Sequence, residues 1–159
     1  MIRLQRENFD VGAELERLTR DAPNIGGLVA FVGLVRDMAG GQAIEAMTLE
    51  HYPAMTEKML TRIETQARRR WPLEASLIIH RYGRLEPGER IVLVATASAH
   101  RQAAFEACQF LIDWLKTKAP FWKREDTAAG ERWVDARSED DAAAAQWTEV
   151  GNKKPDAAE

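Results

Sequence analysis

The sequence contains a single cysteine, Cys108, and only three histidines among its 159 residues. One cysteine forms no disulfide within its own chain and cannot hold a metal ion by itself. The spacing of His51, His80 and His100 does not match that of a zinc site. These shortages exclude a disulfide-stabilised domain and fit a reducing cytoplasm. Cys108 has Phe105 and other apolar residues around it, so we expect it in the core.

Long apolar runs and a strong charge of one sign are also missing. No apolar stretch approaches the roughly 18 residues that cross a bilayer, and the N-terminus lacks the apolar segment of a secretory signal. The net charge is −3 and the pI is near 5.7, whereas general nucleic-acid binders carry a basic face. We therefore expect a cytoplasmic protein that binds neither membranes nor nucleic acid.

The pattern of what is present predicts one globular domain in which helices and strands interleave. Hydrophobic residues make up 45% of the chain and charged residues 30%, which is ordinary for a soluble domain. The predicted elements are a strand at 2–4, a helix at 11–20 capped by Asn8 or Asp10, strands at 28–35 and 43–50, a helix from Pro53 to about 70, strands at 76–82 and 91–97, a helix at 100–116, and a hairpin at 121–125 and 132–135. The fold class is therefore α/β or α+β. We place the domain at residues 1–137 and expect residues 138–159, rich in Ala, Asp and Lys, to be a mobile tail.

The strand predicted at 28–35 ends in an arginine. Its apolar and β-branched residues favour a strand that is covered on both faces. Arg36 follows it directly. One interpretation is a strand that stops at a solvated charge, and the other is an anion site, because the guanidinium offers a fixed fork of donors.

A second polar cluster, residues 98–101 (SAHR), lies where a strand passes into a helix. Ser98 is a candidate N-cap for that helix. Helix N-termini attract anions and disfavour cations, so His100 and Arg101 at this position indicate that an anion binds here. The alternative is a cap with incidental polar neighbours.

A third cluster, residues 116–125 (KTKAPFWKRE), mixes basic and aromatic side chains. It fits a nucleic-acid patch, a protein interface or catalytic lysines in an apolar wall. Lysines at a helix C-terminus also interact favourably with the helix dipole. A lysine held against aromatic surface loses part of its proton affinity, which would suit it to acid–base chemistry.

Taken together, residues 48–55 (TLEHYPAM), 98–101 and 116–125 closely resemble the molybdopterin synthase catalytic subunit family. The resemblance runs in order from about residue 9 to residue 137. It implies a hammerhead-like α/β fold with an added antiparallel β portion. It also implies a sulfurtransferase that converts cyclic pyranopterin monophosphate into the dithiolene of molybdopterin, in molybdenum cofactor biosynthesis.

The resemblance further implies the partners. Sulfur arrives as a thiocarboxylate on the C-terminal Gly-Gly of a small ubiquitin-like subunit. Two catalytic subunits form a homodimer, and one small subunit at each outer end completes a heterotetramer. The enzyme itself needs no metal or organic cofactor.

Carried onto this sequence, the family's site residues form a cationic pocket for the substrate phosphate and the thiocarboxylate. Lys116 is the expected general acid–base, and Lys123 is expected to stabilise negative charge while Glu125 orients it. The complete predicted set for catalysis and substrate binding is Leu34, Val35, Arg36, His100, Arg101, Lys116, Lys123, Arg124 and Glu125. Members of the family often have a basic residue at the position of Leu34. Because leucine has no charge, we expect only a backbone contact with the substrate there. Phe31 is an expected pocket wall, and Arg137 is expected to reach the site of its own or the neighbouring subunit.

Two rival functions follow from the same residues. One is a binding module that keeps the fold and dimer but has lost catalysis, and the presence of both Lys116 and Lys123 argues against it. The other is a platform for single-stranded nucleic acid, on which bases stack against the aromatics of the third cluster. The acidic net charge of −3 argues against that platform.

Overall fold

The computed structural model describes residues 1–135 and 138–149. Its helices are α1 (Val11–Thr19), α2 (Pro53–Arg70), α3 (Arg101–Lys118) and α4 (Ser138–Glu149). Its strands are β1 (Ile2–Gln5), β2 (Gly27–Leu34), β3 (Met38–Ala39), β4 (Gln42–Ala43), β5 (Ala46–His51), β6 (Ala75–Arg81), β7 (Gly83–Leu85), β8 (Arg90–Ser98), β9 (Phe121–Thr127) and β10 (Gly130–Val134). The helix termini follow from local chemistry. Asp10 accepts a hydrogen bond from the Ala13 amide at 2.8 Å and so caps α1, and Pro53 opens α2, where its missing N–H costs nothing.

The first sheet has the order β1-β6-β8-β2 and carries helices on both faces. β1 runs parallel to β6, and the other pairs are antiparallel. α1 packs on one face through the cluster around Phe9, Leu77 and Leu93. α2 and α3 pack on the other, where Ile78 and Phe110 are fully buried. The main core therefore lies between this sheet and the two long helices.

The second sheet is fully antiparallel, with the order β10-β9-β5-β7. Only Tyr82 separates β6 in the first sheet from β7 in the second. Gly83 has φ +90°, a left-handed conformation that glycine adopts without strain, and it turns the chain between the sheets. A small core of Val35, Leu49 and Leu85 joins this sheet to the rest. The predicted single-domain fold of mixed helix and strand with an added antiparallel portion is confirmed.

Two burial predictions were wrong in detail. β2 is an edge strand that pairs only with β8 within the described residues, and Phe31 (40% exposed) and Leu34 (53% exposed) are open to solvent rather than covered. The four-residue spacing of Met55, Met59, Ile63 and Ala67 predicts that these residues form the apolar stripe of α2, yet Met55 is 56% exposed. The buried side of that helix is instead formed by Thr56, Leu60, Ile63 and Ala67.

The prediction of a mobile tail from residue 138 onward was wrong for residues 138–149, which form α4. α4 packs along α3 and places Trp147 in the main core. The Trp147 indole donates to the Asp113 carboxylate at 2.7 Å. Residues 150–159 of the expected tail lie outside the described residues. In the described part of the chain, every helix is too short or too polar to cross a membrane.

Candidate active site

α3 carries the predicted site residues to opposite ends of the molecule. It runs back along β8, as shown by the Thr96 hydroxyl donating to Ala104 O at 2.6 Å and by the Cys108 thiol 3.9 Å from Val94 O. At a rise of about 1.5 Å per residue, Lys116 lies about 23 Å from Arg101 along the helix axis. One ligand in one subunit cannot touch both.

The first end is a cavity of about 490 Å³ at the N-terminus of α3, lined by Gly26, Ala99, His100, Arg101 and Gln102. His100 is the N-cap, makes no capping bond with its side chain, and is followed by a first turn without acidic residues. Free amides and the positive end of the dipole therefore face this cavity together with the Arg101 side chain, a suitable environment for an anion.

Close packing of two backbones builds this cavity. The Gly26 amide donates to Ser98 O at 3.0 Å, and a Cβ on Gly26 would lie 2.2 Å from Ala99 O. Only glycine permits that approach. Ser98 was expected to cap the helix, but its hydroxyl donates to Pro72 O at 2.8 Å and receives only a long 3.4 Å contact from the His100 amide. Ser98 fixes the turn, and His100 takes the cap position.

The second end gathers Arg36, Lys116 and Lys123. Leu34 of β2 pairs with Arg90, at the opposite end of β8 from Ser98, and Arg36 follows two residues later. The C-terminus of α3 reaches the same end, because α3 runs antiparallel to β8 and Leu115 and Val92 belong to the same core cluster. β9 begins three residues beyond α3. The structure thus places these three cations at one end and His100 and Arg101 at the other, whereas the sequence predicted a single pocket that contains all five.

Lys123 lies in a row of side chains on the core-facing side of β9. Directly paired residues of an antiparallel ladder share a face, and Lys123 pairs with Leu49 while Phe121 pairs with His51. The Phe121 ring stacks on His80 with centroids 3.8 Å apart. The surroundings of Lys123 are therefore an aromatic and aliphatic shelf.

His80 beneath this shelf is neutral. Its pKa is lowered to about 4, chiefly by burial; a hydrogen bond to Arg81 O opposes the fall, and the nearby groups of Lys123 and His51 add to it. Nδ1 lies 2.8 Å from that carbonyl oxygen. Because a carbonyl only accepts, Nδ1 carries the proton and Nε2 the lone pair.

Lys116 is half-exposed and lies 3.4 Å from Asp140 of α4. An ion pair of this length between partly exposed groups contributes little to stability. It does hold the ammonium group at a defined place near the end of α3. Asp140 was not identified from the sequence, because it lies in the segment predicted to be mobile.

Three predicted substrate-binding residues have different surroundings from those expected. Val35 is 3% exposed, its amide donates to Glu89 O at 2.9 Å, and its carbonyl accepts from the Gly88 amide at 2.8 Å, so it anchors a turn. Glu125 is buried and accepts from Arg132 at 2.6 Å, although it shares the face of Lys123. Arg124 alternates to the opposite face, where it pairs with acidic residues and lies over the Trp133 ring at 6.0 Å.

Phe31, Leu34 and Arg137 complete the predicted set. Phe31 and Leu34 are exposed on β2 and are open to a ligand or to another chain. Arg137 lies outside the described residues. Within residues 1–135 and 138–149, His, Cys, Asp and Glu side chains form no group of three or more that would hold a metal ion.

The chain is similar to known proteins over most of its length. The family model described as MoaE protein matches residues 4–118. The molybdopterin synthase catalytic subunit of Pseudomonas aeruginosa is 57% identical over 148 residues, covering 93% of this chain and 99% of that protein. The chain belongs to the MoaE family. Its function is that of a molybdopterin synthase catalytic subunit, and it is an enzyme of molybdopterin formation.

Solved MoaE structures share the fold. The molybdopterin biosynthesis MoaE protein of Burkholderia ambifaria superposes with a TM-score of 0.80 at 54% identity, covering 93% of this chain and 97% of that one. A chain from the protein–protein complex of subunits 1 and 2 of the molybdopterin-converting factor of Helicobacter pylori gives a TM-score of 0.72 at 21% identity, covering 86% and 92%. The second likeness shows the fold alone. The predicted family and function are confirmed.

Two histidines beside Lys123 were not among the predicted site residues. His51 and His80 were tested only against zinc spacings, yet both approach the Phe121 ring, His51 at 5.7 Å between centroids. The signal that was available is strand alternation. His80 continues the apolar run of β6 and therefore had to be buried.

Proposed function

We propose that this chain transfers sulfur from the thiocarboxylated C-terminus of a small ubiquitin-like subunit to cyclic pyranopterin monophosphate, forming the dithiolene of molybdopterin. The observation that carries the proposal is the group of Arg36, Lys116 and Lys123 at one end of the first sheet. The thiocarboxylate and the cyclic phosphate are both anions, and three cations beside an apolar shelf suit both. The predicted cytoplasmic location stays a prediction.

The lysines divide the chemistry between them in this proposal. The thiocarboxylate sulfur bonds to a substrate carbon while a carbon–oxygen bond at that carbon breaks, and the released oxygen takes up a proton. Water then cleaves the acyl–sulfur bond. The sulfur stays on the substrate, and the partner leaves with an ordinary carboxylate. A second thiocarboxylate repeats these steps at the neighbouring carbon, which supplies the second sulfur of the dithiolene. Lys123, on its shelf over Phe121 and neutral His80, stabilises negative charge that develops on the substrate. Lys116 gives and takes the proton. Asp140 keeps the Lys116 ammonium group near the substrate.

A second copy of the chain supplies the rest of the substrate site. His100 and Arg101 lie about 23 Å along α3 from Lys116, so a substrate that needs all of them must bind between two subunits. The edge of β2 supports such a dimer. It carries exposed Phe31 and Leu34, and Phe105 of α3 is 60% exposed. A neighbouring copy would cover the exposed side of β2, a strand that the sequence predicted to be covered on both faces.

The small subunit completes the proposed heterotetramer. The Helicobacter pylori relative of known structure was determined as a complex of subunits 1 and 2, and this chain shares its fold. We place one small subunit at each outer end of the dimer, with its C-terminal tail reaching Lys116 and Lys123.

The test is a reconstituted assay with purified chain, thiocarboxylated small subunit and cyclic pyranopterin monophosphate. We expect dithiolene product, and none with a plain carboxylate partner. Lys116→Ala and Lys123→Ala should each lower turnover by about 10² to 10⁴-fold, the usual contribution of acid–base or electrostatic groups. Lys58→Ala is the matched control, because Lys58 is exposed on α2 and should keep wild-type turnover. Near-normal turnover in either site variant refutes the role of that lysine.

The rival functions are separated by the same preparations. A stable complex with the partner but no product would favour a module without catalysis. A salt-sensitive shift of single-stranded nucleic acid would favour the stacking platform.

A further inference from the structure

A larger cavity lies beside β5 toward β7, whereas Lys123 lies on β9, the neighbour of β5 in the other direction. Its volume is about 610 Å³, and its lining includes Arg6, Glu50, His51, Tyr82, Gly83 and Arg84. Leu49 lines it too and is the ladder partner of Lys123. Because neighbouring strands are about 4.8 Å apart, this cavity adjoins the Lys123 row. None of the residues in the predicted site set lines it.

Arg6 presents a fixed positive charge at its wall. The buried Arg81 side chain donates to Arg6 O at 2.9 Å and holds the backbone. The Arg6 guanidinium lies over the Tyr82 ring at 5.0 Å, and its Nη1 lies 3.1 Å from where a Cβ on Gly83 would be, so glycine leaves room for it. Among the residues that the structure describes, no carboxylate pairs with this guanidinium.

Two further donors face the same space. Arg84 pairs with Glu86 at 3.2 Å, but both side chains are more than half exposed, so the guanidinium can turn toward a ligand at little cost. The centroid of the His51 ring lies 4.5 Å from that of Tyr82, and its buried Nδ1 makes no hydrogen bond within the described chain. Glu50 is the acidic member of the lining. Its charge and that of Glu86 face the two guanidiniums of Arg6 and Arg84, and Arg6 is the one of the two without a carboxylate partner among the described residues.

We propose that this cavity, the Arg6 pocket, binds an oxyanion of the phosphate class. Two guanidinium forks and an imidazole offer more donors than the two oxygens of a carboxylate use, and they suit the oxygens of a phosphate group. The aromatic wall of Tyr82 and His51 keeps one side of the pocket dry, which strengthens each of these contacts. The pocket is separate from the anion site at the N-terminus of α3.

Phosphate binding to the chain alone tests the proposal. Ring signals of His51, assigned with a His51→Gln variant, are followed by NMR during titration with inorganic phosphate at constant pH and ionic strength. We expect a saturable shift of the His51 ring and the Gly83 amide. Arg6→Gln should weaken the fitted affinity at least tenfold, and Arg84→Gln should weaken it by a smaller factor. Arg62→Gln, an exposed arginine on α2, should leave it unchanged.

Several outcomes would overturn the Arg6 pocket. These are the absence of a saturable shift, the same affinity in Arg6→Gln as in wild type, and phosphate shifts confined to the His100 and Arg101 signals. A loss of affinity in the Arg62 control equal to that in Arg6→Gln would reduce the effect to net charge and also overturn it. The readout is binding without partner or turnover, so its failure leaves the sulfur-transfer proposal as it stands.

Discussion

His80 shows how one buried side chain connects the fold to the candidate site. It is 4% exposed, continues the apolar run of β6, and supports the Phe121 ring two residues before Lys123. A protonated imidazole at this place would be desolvated and would face the charge of Lys123. The neutral form is therefore part of the folded structure, and stability must depend on pH.

We expect His80 to make the protein less stable as the pH falls from 6.5 toward 4. The unfolded chain takes up a proton on this side chain near its ordinary pKa of 6.5, whereas the folded state resists until the pKa of about 4. Between those values the unfolded state binds more protons, so the free energy of unfolding rises with pH. The contribution lost between pH 7 and pH 4.5 is about 2 to 3 kcal/mol.

Chemical denaturation at pH 7 and pH 4.5 measures this effect. His80→Gln keeps an N–H donor for Arg81 O but does not titrate, so the loss between the two pH values should be smaller by about 2 to 3 kcal/mol. His100→Gln removes an exposed imidazole and should keep the wild-type difference. An equal pH dependence in wild type and His80→Gln would show that His80 is not buried in its neutral form.

At the scale of elements, α4 is held by a small group of polar contacts around Trp147. The Asp113 carboxylate of α3 accepts from the Trp147 indole at 2.7 Å and from the Gln146 amide at 3.2 Å. Arg70 of α2 donates to Trp147 O at 2.7 Å. A helix of 12 residues is marginal by itself, so these contacts and the burial of Trp147 hold it in place, and with it Asp140 beside Lys116.

Trp147→Phe should destabilise the protein by about 1 to 3 kcal/mol. Phenylalanine keeps most of the apolar surface but leaves Asp113 without its indole donor in a buried place. The midpoint of denaturation at neutral pH measures the loss. Ala142→Ser, on the exposed side of α4, should change stability by less than about 0.5 kcal/mol. If Trp147→Phe matches wild type, α4 does not pack on α3 in solution.

Single elements show what the sequence does and does not predict. Most helices and strands were placed within a few residues, because caps, Pro53 and apolar periodicity are local signals. The predicted buried side of α2 began at Met55, but the observed one begins at the next residue, Thr56. These two residues lie on neighbouring faces of the helix, and packing against the sheet decides which face is buried. α4 was missed because alanines and acids give no periodic stripe, and one tryptophan provides the anchor.

At the scale of the whole molecule, the division into two sheets was not predictable. β6 and β7 are separated by one residue, and nothing local indicates that the chain changes sheets at Gly83. The arrangement of the candidate site was not predictable from local sequence either. The basic clusters were identified as residues, but their distribution over two ends follows from α3 running antiparallel to β8, which is a long-range fact.

That separation leads to a prediction about the assembled molecule. If each active site combines Lys123 of one subunit with His100 of another, two inactive variants should complement each other. Mixing Lys123→Ala and His100→Ala subunits at equal amounts gives half mixed dimers, and each mixed dimer has one of its two sites intact. The expected turnover is therefore about one quarter of wild type, measured after subunit exchange is complete, whereas each variant alone should be impaired by about 10²-fold or more.

The mixing experiment has a matched control in which no activity should return. A mixture of Lys123→Ala with Lys116→Ala should recover nothing, because both lysines lie at the same end of the first sheet and belong to one site: every mixed dimer then has one lysine missing from each site. Recovery in this control would mean that the Lys116 and Lys123 of one site come from different subunits. No recovery with His100→Ala would show that no site combines Lys123 of one subunit with His100 of the other. If His100→Ala alone keeps near-normal turnover, then His100 and Arg101, about 23 Å from Lys116 along α3, bind an anion that does not take part in sulfur transfer.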